Sequence, residues 1–267
     1  MCIVLEVSRS GYYRWVESRD SERRREDREL LRRIHAIHKA SRGIYGAPRI
    51  HRELREQGVR CGRKRVARLM REAELRGKCR RKFRPKTTDS KHGKRIFPNR
   101  LPDVTIDRPD QVWAADITYI ATDEGWVYLA TVIDLYSRKI VGWSVAATLE
   151  TELVLEALRM ALFWRRAPLL HHSDRGCQYA SDAYKELLDQ HGIEGSMSRK
   201  GNCYDNATQE SFYHSLKTEH VFHEHYRNLE EARSSIFDYI EVFYNRQRRH
   251  SSLDYMSPTQ FEEVVAA

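Results

Sequence analysis

Residues 194–219, EGSMSRKGNCYDNATQESFYHSLKTE, are the stretch from which the fold and the chemistry of this chain can be worked out. The run NCYDNAT at its centre is polar and rich in residues that form turns and cap helices. We therefore expect a helix that begins near Asp205 or Asn206 and carries Glu210 in its first turns. A second polar run, HHSDRGCQYAS at 171–181, precedes this stretch.

Helical spacing gives the expected helix two different faces, because positions three and four residues apart lie on the same side. One face collects an amide, a carboxylate, an imidazole and an ammonium group: Asn206, Glu210, Tyr213, His214 and Lys217. Phe212 and Leu216 are spaced to face a core. The helix is thus expected to present chemistry on one side and packing on the other.

The basic charge of the chain is concentrated in one part of it. The 267 residues carry a net charge of +9 and a pI of about 9.3, which favours a polyanionic partner. Residues 1–100 hold 31 Lys and Arg against 12 Asp and Glu, whereas residues 101–267 hold 16 against 26. Solvated helix faces explain single charges but not a segregation of this size. We therefore expect a basic module followed by a separate acidic one.

Cysteine usage and hydropathy exclude several classes of protein. The five cysteines form no CxxC pair, so neither a zinc finger nor a disulfide framework is indicated: Cys2, Cys61, Cys79, Cys177 and Cys203. We expect a reducing compartment, and packing roles for Cys177 and Cys203. No apolar run reaches the length of a membrane span, and Glu6 and Arg9 interrupt the N-terminal apolar stretch. We therefore expect a soluble protein with no membrane partner.

Three short helices are predicted between residues 21 and 72. Their apolar positions recur at helical spacing and are expected to face a core: Leu30, Ile34, Ile37, Ile50, Leu54, Val66, Leu69 and Met70. Pro48 is placed to open the second helix and Gly58 to end it. The third helix is expected to point basic side chains outward: Arg63, Lys64, Arg65, Arg68 and Arg71. This pattern is typical of a small helix-turn-helix-like DNA-binding domain.

The segment 76–100, RGKCRRKFRPKTTDSKHGKRIFPNR, is strongly basic and has no periodicity. Pro85, Gly93 and Pro98 interrupt regular structure there. We interpret it as a linker that lies along a nucleic-acid backbone, with a disordered solvated tether as the alternative; both hold if the segment orders on binding. The expected domains are an N-terminal extension (1–27), the helix-turn-helix-like domain (28–76), a basic linker (77–106) and a core with a C-terminal helix (107–267).

From residue 107 the pattern changes to runs rich in β-branched and aromatic residues. VWAADITYIAT, WVYLATVIDL and KIVGWSVAAT are separated by short turns, which predicts a three-stranded antiparallel meander. A helix, a short strand near 168–172, a second helix, a short strand near 193–197 and a third helix follow. The order predicts an α/β fold, a mixed five-stranded sheet with flanking helices.

Three carboxylates fall where this fold places functional groups. Alternation puts Asp116 in the middle of an apolar strand, where an unpaired charge is costly and needs a cation. Asp174 lies just past the carboxyl end of a short strand, and Glu210 follows after 35 intervening residues. Acidic oxygens without Cys pairs or His-rich spacing are typical of a site for Mg²⁺ or Mn²⁺. Two such ions can assist an in-line phosphoryl displacement.

Other polar residues are candidate DNA contacts, which position a backbone without reading its sequence. Those near the three carboxylates are Arg175, Arg199, Lys200, Asn206 and Lys217. Asn206, Lys217 and His214 are equally compatible with a solvated helix face. Asp134 is interpreted as structural, paired with Arg138 or with a backbone amide. A C-terminal basic group is a further candidate contact: Arg246, Arg248, Arg249 and His250.

Several stretches together resemble the catalytic subunit, encoded by the second open reading frame, of bacterial insertion-sequence transposases related to retroviral integrases. They are numerous, ordered and correctly spaced: VWAADITYI, VIDLYSRKIVGW, HHSDRGCQYAS, SMSRKGNCYDNATQESFYHSLKTE and FYNRQRRHSSLDYMSP. IYGAPRI and RKRVARLM resemble the helix-turn-helix segment that precedes the core in that family. The resemblance covers nearly all of residues 30–260.

The resemblance implies a ribonuclease-H-like integrase catalytic core preceded by a small all-α helix-turn-helix-like domain. It implies that the catalytic and metal-binding DDE triad falls on Asp116, Asp174 and Glu210, with two Mg²⁺ or Mn²⁺ ions as cofactors. The implied reaction is cleavage of a phosphodiester at the end of an insertion sequence, which frees a 3′-hydroxyl, followed by strand transfer to a second phosphodiester.

The resemblance also implies partners: double-stranded DNA of the element ends and the target, an upstream-frame protein or fusion, and further copies of the chain on DNA. The expected location is the bacterial cytoplasm, in association with the nucleoid. Two alternatives stay open. A non-catalytic DNA-binding regulator would have no need for three converging carboxylates, and a ribonuclease-H-like nuclease would not need the basic N-terminal module.

Overall fold

The computed structural model describes residues 7–17, 21–78, 96–198 and 207–266. By its internal contacts the chain divides into two compact units, residues 1–78 and 79–267. The finer domain boundaries expected from the sequence stay predictions. Several residues singled out above lie outside the described ranges: Cys203, Arg199, Lys200, Asn206 and most of the basic segment 76–100. None of the helices within the described ranges combines the length and apolar character that crossing a membrane requires.

The first unit is made of helices. They are α1 (Arg9–Glu17), α2 (Glu22–Ala40), α3 (Ala47–Glu56) and α4 (Arg63–Glu72). The predicted core is confirmed, since Ile34, Ile50 and Leu54 have no exposed surface. Pro48 lies in the first turn of α3, one residue later than expected. Gly58 follows the end of α3 with a φ of +77°, a conformation that glycine adopts without strain.

The second unit is organised around a five-stranded sheet. Its strands are β1 (Val112–Thr122), β2 (Gly125–Asp134), β3 (Ile140–Ala146), β4 (Leu170–Ser173) and β5 (Glu194–Met197). They lie in the order β3-β2-β1-β4-β5. The first three form an antiparallel meander, and β4 and β5 run parallel to β1. The predicted mixed sheet is therefore confirmed.

Two helices of this unit lie between strands of the sheet in sequence, and three follow its last strand. They are α5 (Thr151–Trp164), α6 (Asp182–Gln190), α7 (Ala207–Glu219), α8 (Leu229–Phe237) and α9 (Pro258–Ala266). The closest approach is between α5 and β3, where a Cβ on Gly142 would lie 2.1 Å from the carbonyl oxygen of Ala157. Only glycine at this position allows α5 to lie so near the strand. Trp113, Leu158 and Tyr184 lie in the apolar core of this unit.

Asp134 is the last residue of β2, and its side chain stabilises the turn that follows. The residue is fully buried. Its Oδ1 accepts hydrogen bonds from the backbone N–H groups of Tyr136 (3.0 Å) and Ser137 (2.7 Å), and its Oδ2 accepts from that of Asp110 (2.7 Å). Burial raises the pKa of the Asp134 carboxyl, and these hydrogen bonds oppose the rise. The structural role expected for Asp134 rests on backbone amides, while the Arg138 side chain donates instead to Thr208 on α7.

A buried ion pair joins α7 to the C-terminal part of the chain. After α8 the helix continues as a π-helical segment, Asp238–Tyr244. Beyond it, the Arg248 guanidinium contacts both carboxylate oxygens of Glu219 at 2.6 Å, and the Tyr239 hydroxyl donates to the same carboxylate at 3.0 Å. Arg248 is only 5% exposed. This cluster ties the last turn of α7 to the segment that follows α8.

The expectation that the C-terminal basic group contacts DNA is wrong for three of its four members. Arg248, Arg249 and His250 are all buried, and only Arg246 is exposed. Sequence alone assigns such a cluster to the surface because Arg is rarely buried unless it is paired. Here the partner, Glu219, lies 29 residues earlier in the chain.

We predict that Arg248→Ala destabilises the second unit by about 3–5 kcal/mol, because it leaves the Glu219 carboxylate buried without a cation. Urea unfolding followed by tryptophan fluorescence measures the loss, since four of the five tryptophans lie in this unit. The matched control is Arg159→Ala on α5, whose partners Glu152 and Glu156 are exposed. That change should cost at most about 1 kcal/mol. Equal losses from both variants would contradict a special role for the buried pair.

Candidate active site

Asp116 and Asp174 lie side by side at the point where β4 ends. β1 and β4 are parallel, and their last paired residues are Ala115 and Ser173. Asp116 and Asp174 follow these two residues directly, so the strand pairing brings them to the same edge. Beyond Ser173, β4 no longer covers β1. This edge of β1 is therefore open where its carboxylate lies.

The end of β4 is held in place by a buried histidine. His172 has no exposed surface. Its Nδ1 lies 2.9 Å from the Ser196 hydroxyl on β5, and its Nε2 lies 3.0 Å from the Ser198 hydroxyl just after that strand. Its ring nitrogens thus hydrogen-bond to both hydroxyls and tie β4 to β5. Asp174 lies directly after this strand, two residues after His172, so its backbone position is held by the strand end.

Two polar side chains dock α7 on β1 and β2. Gln209 is fully buried, and its Nε2 donates to the backbone oxygens of Ala114 (2.7 Å) and Thr131 (3.1 Å). The Tyr213 hydroxyl donates to the backbone oxygen of Asp116 and lies 2.8 Å from the Thr131 hydroxyl. These contacts attach α7 to the same stretch of β1 that carries Asp116. Glu210, next to Gln209, is exposed.

Gln209 was not identified from the sequence, and Tyr213 was expected on the polar face of α7. Four of the six buried positions of this helix recur at the spacing of one helix face: Gln209, Phe212, Tyr213 and Leu216. Phe212 and Leu216 were predicted to face the core, and they do. The signal available in the sequence was the spacing of Gln209, which makes it the first member of that buried face. A glutamine in register with apolar residues indicates a buried amide that bonds to backbone.

The negative charges of Asp174 and Glu210 act on the carboxyl group of Asp116. The pKa of Asp116 is raised well above its usual value, first by burial and then by the negative charge of Asp174, with a smaller contribution from Glu210. A hydrogen bond from the N–H of Ile117 to Asp116 Oδ1 (2.8 Å) and the charge of Lys217 act in the opposite direction. Sequence-distant Asp174 and Glu210 are thus close enough to Asp116 to repel it. Such repulsion is what a bound cation would relieve.

Asp116 and Asp174 line a common cavity of about 490 Å³. Gly176 closes one side of it, and its N–H donates to Asp174 Oδ1 at 2.8 Å. Cys177 also lines this cavity and is exposed, so the packing role expected for it is wrong. Among the described residues, no group of three or more His, Cys, Asp or Glu side chains is arranged to hold a metal ion. Two of the three carboxylates therefore share the cavity, and Glu210 acts on it through its charge.

Two of the predicted basic contacts lie near these carboxylates. Lys217 is on α7, with its Nζ 4.7 Å from the ring centroid of Tyr119. Burial lowers the pKa of Lys217, and the charge of Asp116 opposes that shift. Arg175 follows Asp174, and its Nε donates to the backbone oxygen of Ser198 at 2.8 Å. His214 is exposed on α7.

Four of the five basic residues on α4 fall into two pairs, and the fifth, Arg71, is exposed. Arg65 and Arg68 both contact Asp27 of α2 at 2.6 Å, and they also reach Glu26 and Glu72 respectively. Burial raises the pKa of the Asp27 carboxyl, but the hydrogen bonds from the two arginines outweigh it and the net shift is downward. Arg63 and Lys64 are exposed at the start of α4. The first pair thus stabilises the packing of α2 against α4, and the second is open to solvent.

Comparison with known proteins gives consistent matches along the chain. Residues 24–83 match the model of an HTH-like domain, and residues 106–203 and 210–265 match two models of an integrase core domain. The chain is 48% identical over 266 residues to the insertion element IS600 uncharacterized 31 kDa protein of Shigella sonnei, covering 98% of this chain and 97% of that protein. It is 46% identical over 267 residues to the transposase InsF for insertion sequence IS3A of Escherichia coli strain K12, covering 98% and 92%.

A likeness to solved structures concerns the fold alone. The integrase fold appears in the cryo-EM structure of a simian T-cell lymphotropic virus intasome in complex with PP2A regulatory subunit B56 gamma, at 13% identity and a TM-score of 0.50. The match covers 86% of this chain and 74% of that one. Together with the domain models, it confirms the expected fold class, an integrase-type core preceded by an HTH-like domain.

We predict that Gln209→Leu destabilises the second unit by about 1–3 kcal/mol, because the buried carbonyl oxygens of Ala114 and Thr131 lose their donor. Gln190→Leu is the control, since Gln190 lies exposed at the end of α6 and should change stability by no more than about 0.5 kcal/mol. Urea unfolding of the two variants and the wild type measures both effects. A Gln209→Leu variant as stable as the wild type would show that the amide does not hold α7.

Proposed function

Because this chain belongs to the family of insertion-sequence transposases with an integrase core, we propose that Asp116, Asp174 and Glu210 are its catalytic, metal-binding carboxylates. The chain is accordingly a DNA transposase, an enzyme of DNA integration. The observation that carries the residue assignment is the parallel pairing of β1 and β4, which ends where Asp116 and Asp174 meet. The effect of the Glu210 charge on the pKa of Asp116 supports including Glu210 as the third carboxylate.

The chemistry of the three side chains fits a hard divalent cation. All are carboxylates, the ligands that Mg²⁺ and Mn²⁺ prefer, and Asp116 forms no ion pair with any described residue. In the proposed site, Asp116 and Asp174 would hold the ions from the sheet, and Glu210 would be the third carboxylate, from α7. We propose two ions. Such ions, when bound, polarise a phosphodiester and neutralise the negative charge that develops on its oxygens.

The chain's own residues fix the geometry for two successive phosphoryl transfers. In the first, water attacks a phosphodiester at the end of the element, and the bond to the 3′-oxygen breaks to leave a 3′-hydroxyl. In the second, this hydroxyl attacks a phosphodiester of the target, which joins the strands and releases a new 3′-hydroxyl. Gln209 and Tyr213 set the position of α7 on β1, so that Glu210 approaches Asp116 from a fixed direction.

DNA contacts are proposed for both units. Near the carboxylates the candidates are Arg175, Arg199, Lys200, Asn206 and Lys217, of which Arg175 and Lys217 lie within the described residues. In the helical unit we favour Arg63 and Lys64, because Arg65 and Arg68 are engaged with Asp27. The proposed substrate is double-stranded DNA of the element ends and the target, bound by several copies of the chain with an upstream-frame protein or fusion. Association with the bacterial nucleoid follows from that substrate.

We predict that Asp116→Asn, Asp174→Asn and Glu210→Gln each lower strand joining at least about 100-fold, more than the loss from changing an outer-shell partner of a metal ligand. The assay uses labelled duplex DNA of the element's own ends, with the chain alone and fused to its upstream frame. EDTA should abolish joining, and added Mg²⁺ or Mn²⁺ should restore it. Asp182→Asn, an exposed carboxylate on α6, is the control and should leave the rate unchanged. Full activity in all three variants, with folding intact, would refute the proposed triad.

We predict that Arg63→Ala and Lys64→Ala weaken DNA binding by similar factors on every sequence and reduce the salt dependence of log Kd by about 1 each. Fluorescence anisotropy between about 50 and 200 mM salt measures this slope. Arg65→Ala is the comparison, because removal of an Asp27 partner should lower the stability of the helical unit. An unchanged slope in both exposed variants would exclude the start of α4 from the DNA interface.

A further inference from the structure

Two aromatic residues stand beside the carboxylates without being part of the core. Tyr119 on β1 and Trp126 on β2 pack edge to face, with ring centroids 4.9 Å apart. Trp126 is 55% exposed, although tryptophan contributes most when it is buried. The Tyr119 ring is held further by the ammonium group of Lys217. The pair is therefore fixed in position while the indole stays open to solvent.

This aromatic pair separates two cavities. The cavity of about 490 Å³ that contains Asp116 and Asp174 is lined by Tyr119 and Trp126, and so is a second cavity of about 530 Å³. The second cavity also includes Lys217 and, beyond it, Phe222. Both volumes lie within the range of about 300–1,000 Å³ that is usual for sites binding small planar molecules. The aromatic pair thus borders the cavity that contains the two carboxylates.

The position of Asp116 in a cavity favours a local separation of DNA strands. The Asp116 carboxylate is partly exposed and lines the cavity at the edge of β1, so a phosphodiester reaches it through this cavity. A strand that stays paired and stacked in a duplex cannot follow this path without its partner. Entry into the cavity is easiest when a base next to the reacting phosphate leaves the stack, as bases do in enzymes that act on an extruded nucleotide. The unstacked base then needs a new surface.

The chemistry of the cavities favours a base over a phosphate at the aromatic pair. Asp116 and Asp174 repel an anion that has no cation beside it, whereas an uncharged base presents a flat face to an aromatic ring. Stacking on aromatic side chains accepts any base, because every base has a π-face. Lys217, beside Tyr119, offers a positive charge for the phosphate that follows the base. The base of a nucleotide is thus expected at the aromatic pair, and its phosphate at Lys217.

We propose that Trp126, braced by Tyr119, stacks on an unpaired base of the DNA strand next to the reacting phosphodiester. The proposal rests on the proposed function of the three carboxylates. It makes Trp126 a substrate-positioning residue that stabilises the opened end of the duplex. Because stacking is tolerant of sequence, this contact serves the element end and the target alike.

The test is a cycle between Trp126→Ala and abasic sites placed one at a time around the cleaved phosphodiester. On intact DNA, Trp126→Ala should lower the joining rate about 5- to 150-fold, the range given by stacking of one base on an aromatic ring. When the abasic site replaces the stacked base, the wild type and the variant should join at the same rate, because the indole then has nothing to stack on. At the other positions their ratio should stay as on intact DNA.

Controls separate stacking from a general defect. Trp126→Phe should keep most of the wild-type rate and the same abasic pattern. Trp164→Ala removes another exposed tryptophan, at the end of α5, and should change nothing. A ratio that persists at every abasic position, or a wild-type rate for Trp126→Ala on intact DNA, would overturn the inference. Loss of the proposed function has a different signature, since the wild type itself would then join no strands or the Asp116, Asp174 and Glu210 variants would stay active.

Discussion

The constraint on which this site depends is the carboxylate of Asp116 in the middle of a central strand. A charge at this position is costly unless something neutralises it, and no described residue forms an ion pair with it. Its neighbours make the cost larger, because Asp174 and Glu210 add negative charge at the same place. A fold retains such a group when function requires it. The open edge of β1 beyond Ser173 and the cavity at that edge are the structural counterparts of the same requirement.

The way in which α7 is attached explains how a helix carries a catalytic carboxylate to this edge. An apolar face alone fixes a helix only loosely along a strand. Gln209 and Tyr213 bond to particular backbone oxygens of β1 and β2, so the register of α7 on the sheet is defined. At the other end of α7, Glu219 is held by Arg248. The helix is thus anchored by polar contacts at both ends, while Glu210 stays exposed.

The parts of the fold that were predictable from the sequence are those indicated by the regular spacing of apolar residues. The three strands of the meander, helices α2, α3 and α4 of the first unit and the inward positions Phe212 and Leu216 followed from spacing alone, and the five-stranded sheet followed from their order. The misplaced residues are polar ones with distant partners: Arg248 with Glu219, Arg65 with Asp27, and Gln209 with the backbone of β1. A pattern of single residues assigns these to the surface, because burial of a polar group depends on a partner that lies elsewhere in the chain.

The division of charge along the chain, before and after residue 100, explains what the aromatic pair would contribute. Residues 101–267 carry an excess of acidic groups, so attraction of DNA over a distance must come from the basic residues before them. Close to Asp116 the carboxylates repel a phosphate unless bound cations neutralise them, so an interaction that does not depend on charge adds affinity there. Trp126 and Tyr119 offer such an interaction at the boundary of the acidic cavity. Long-range attraction and local stacking then act on different parts of the same substrate, and each works where the other is weak.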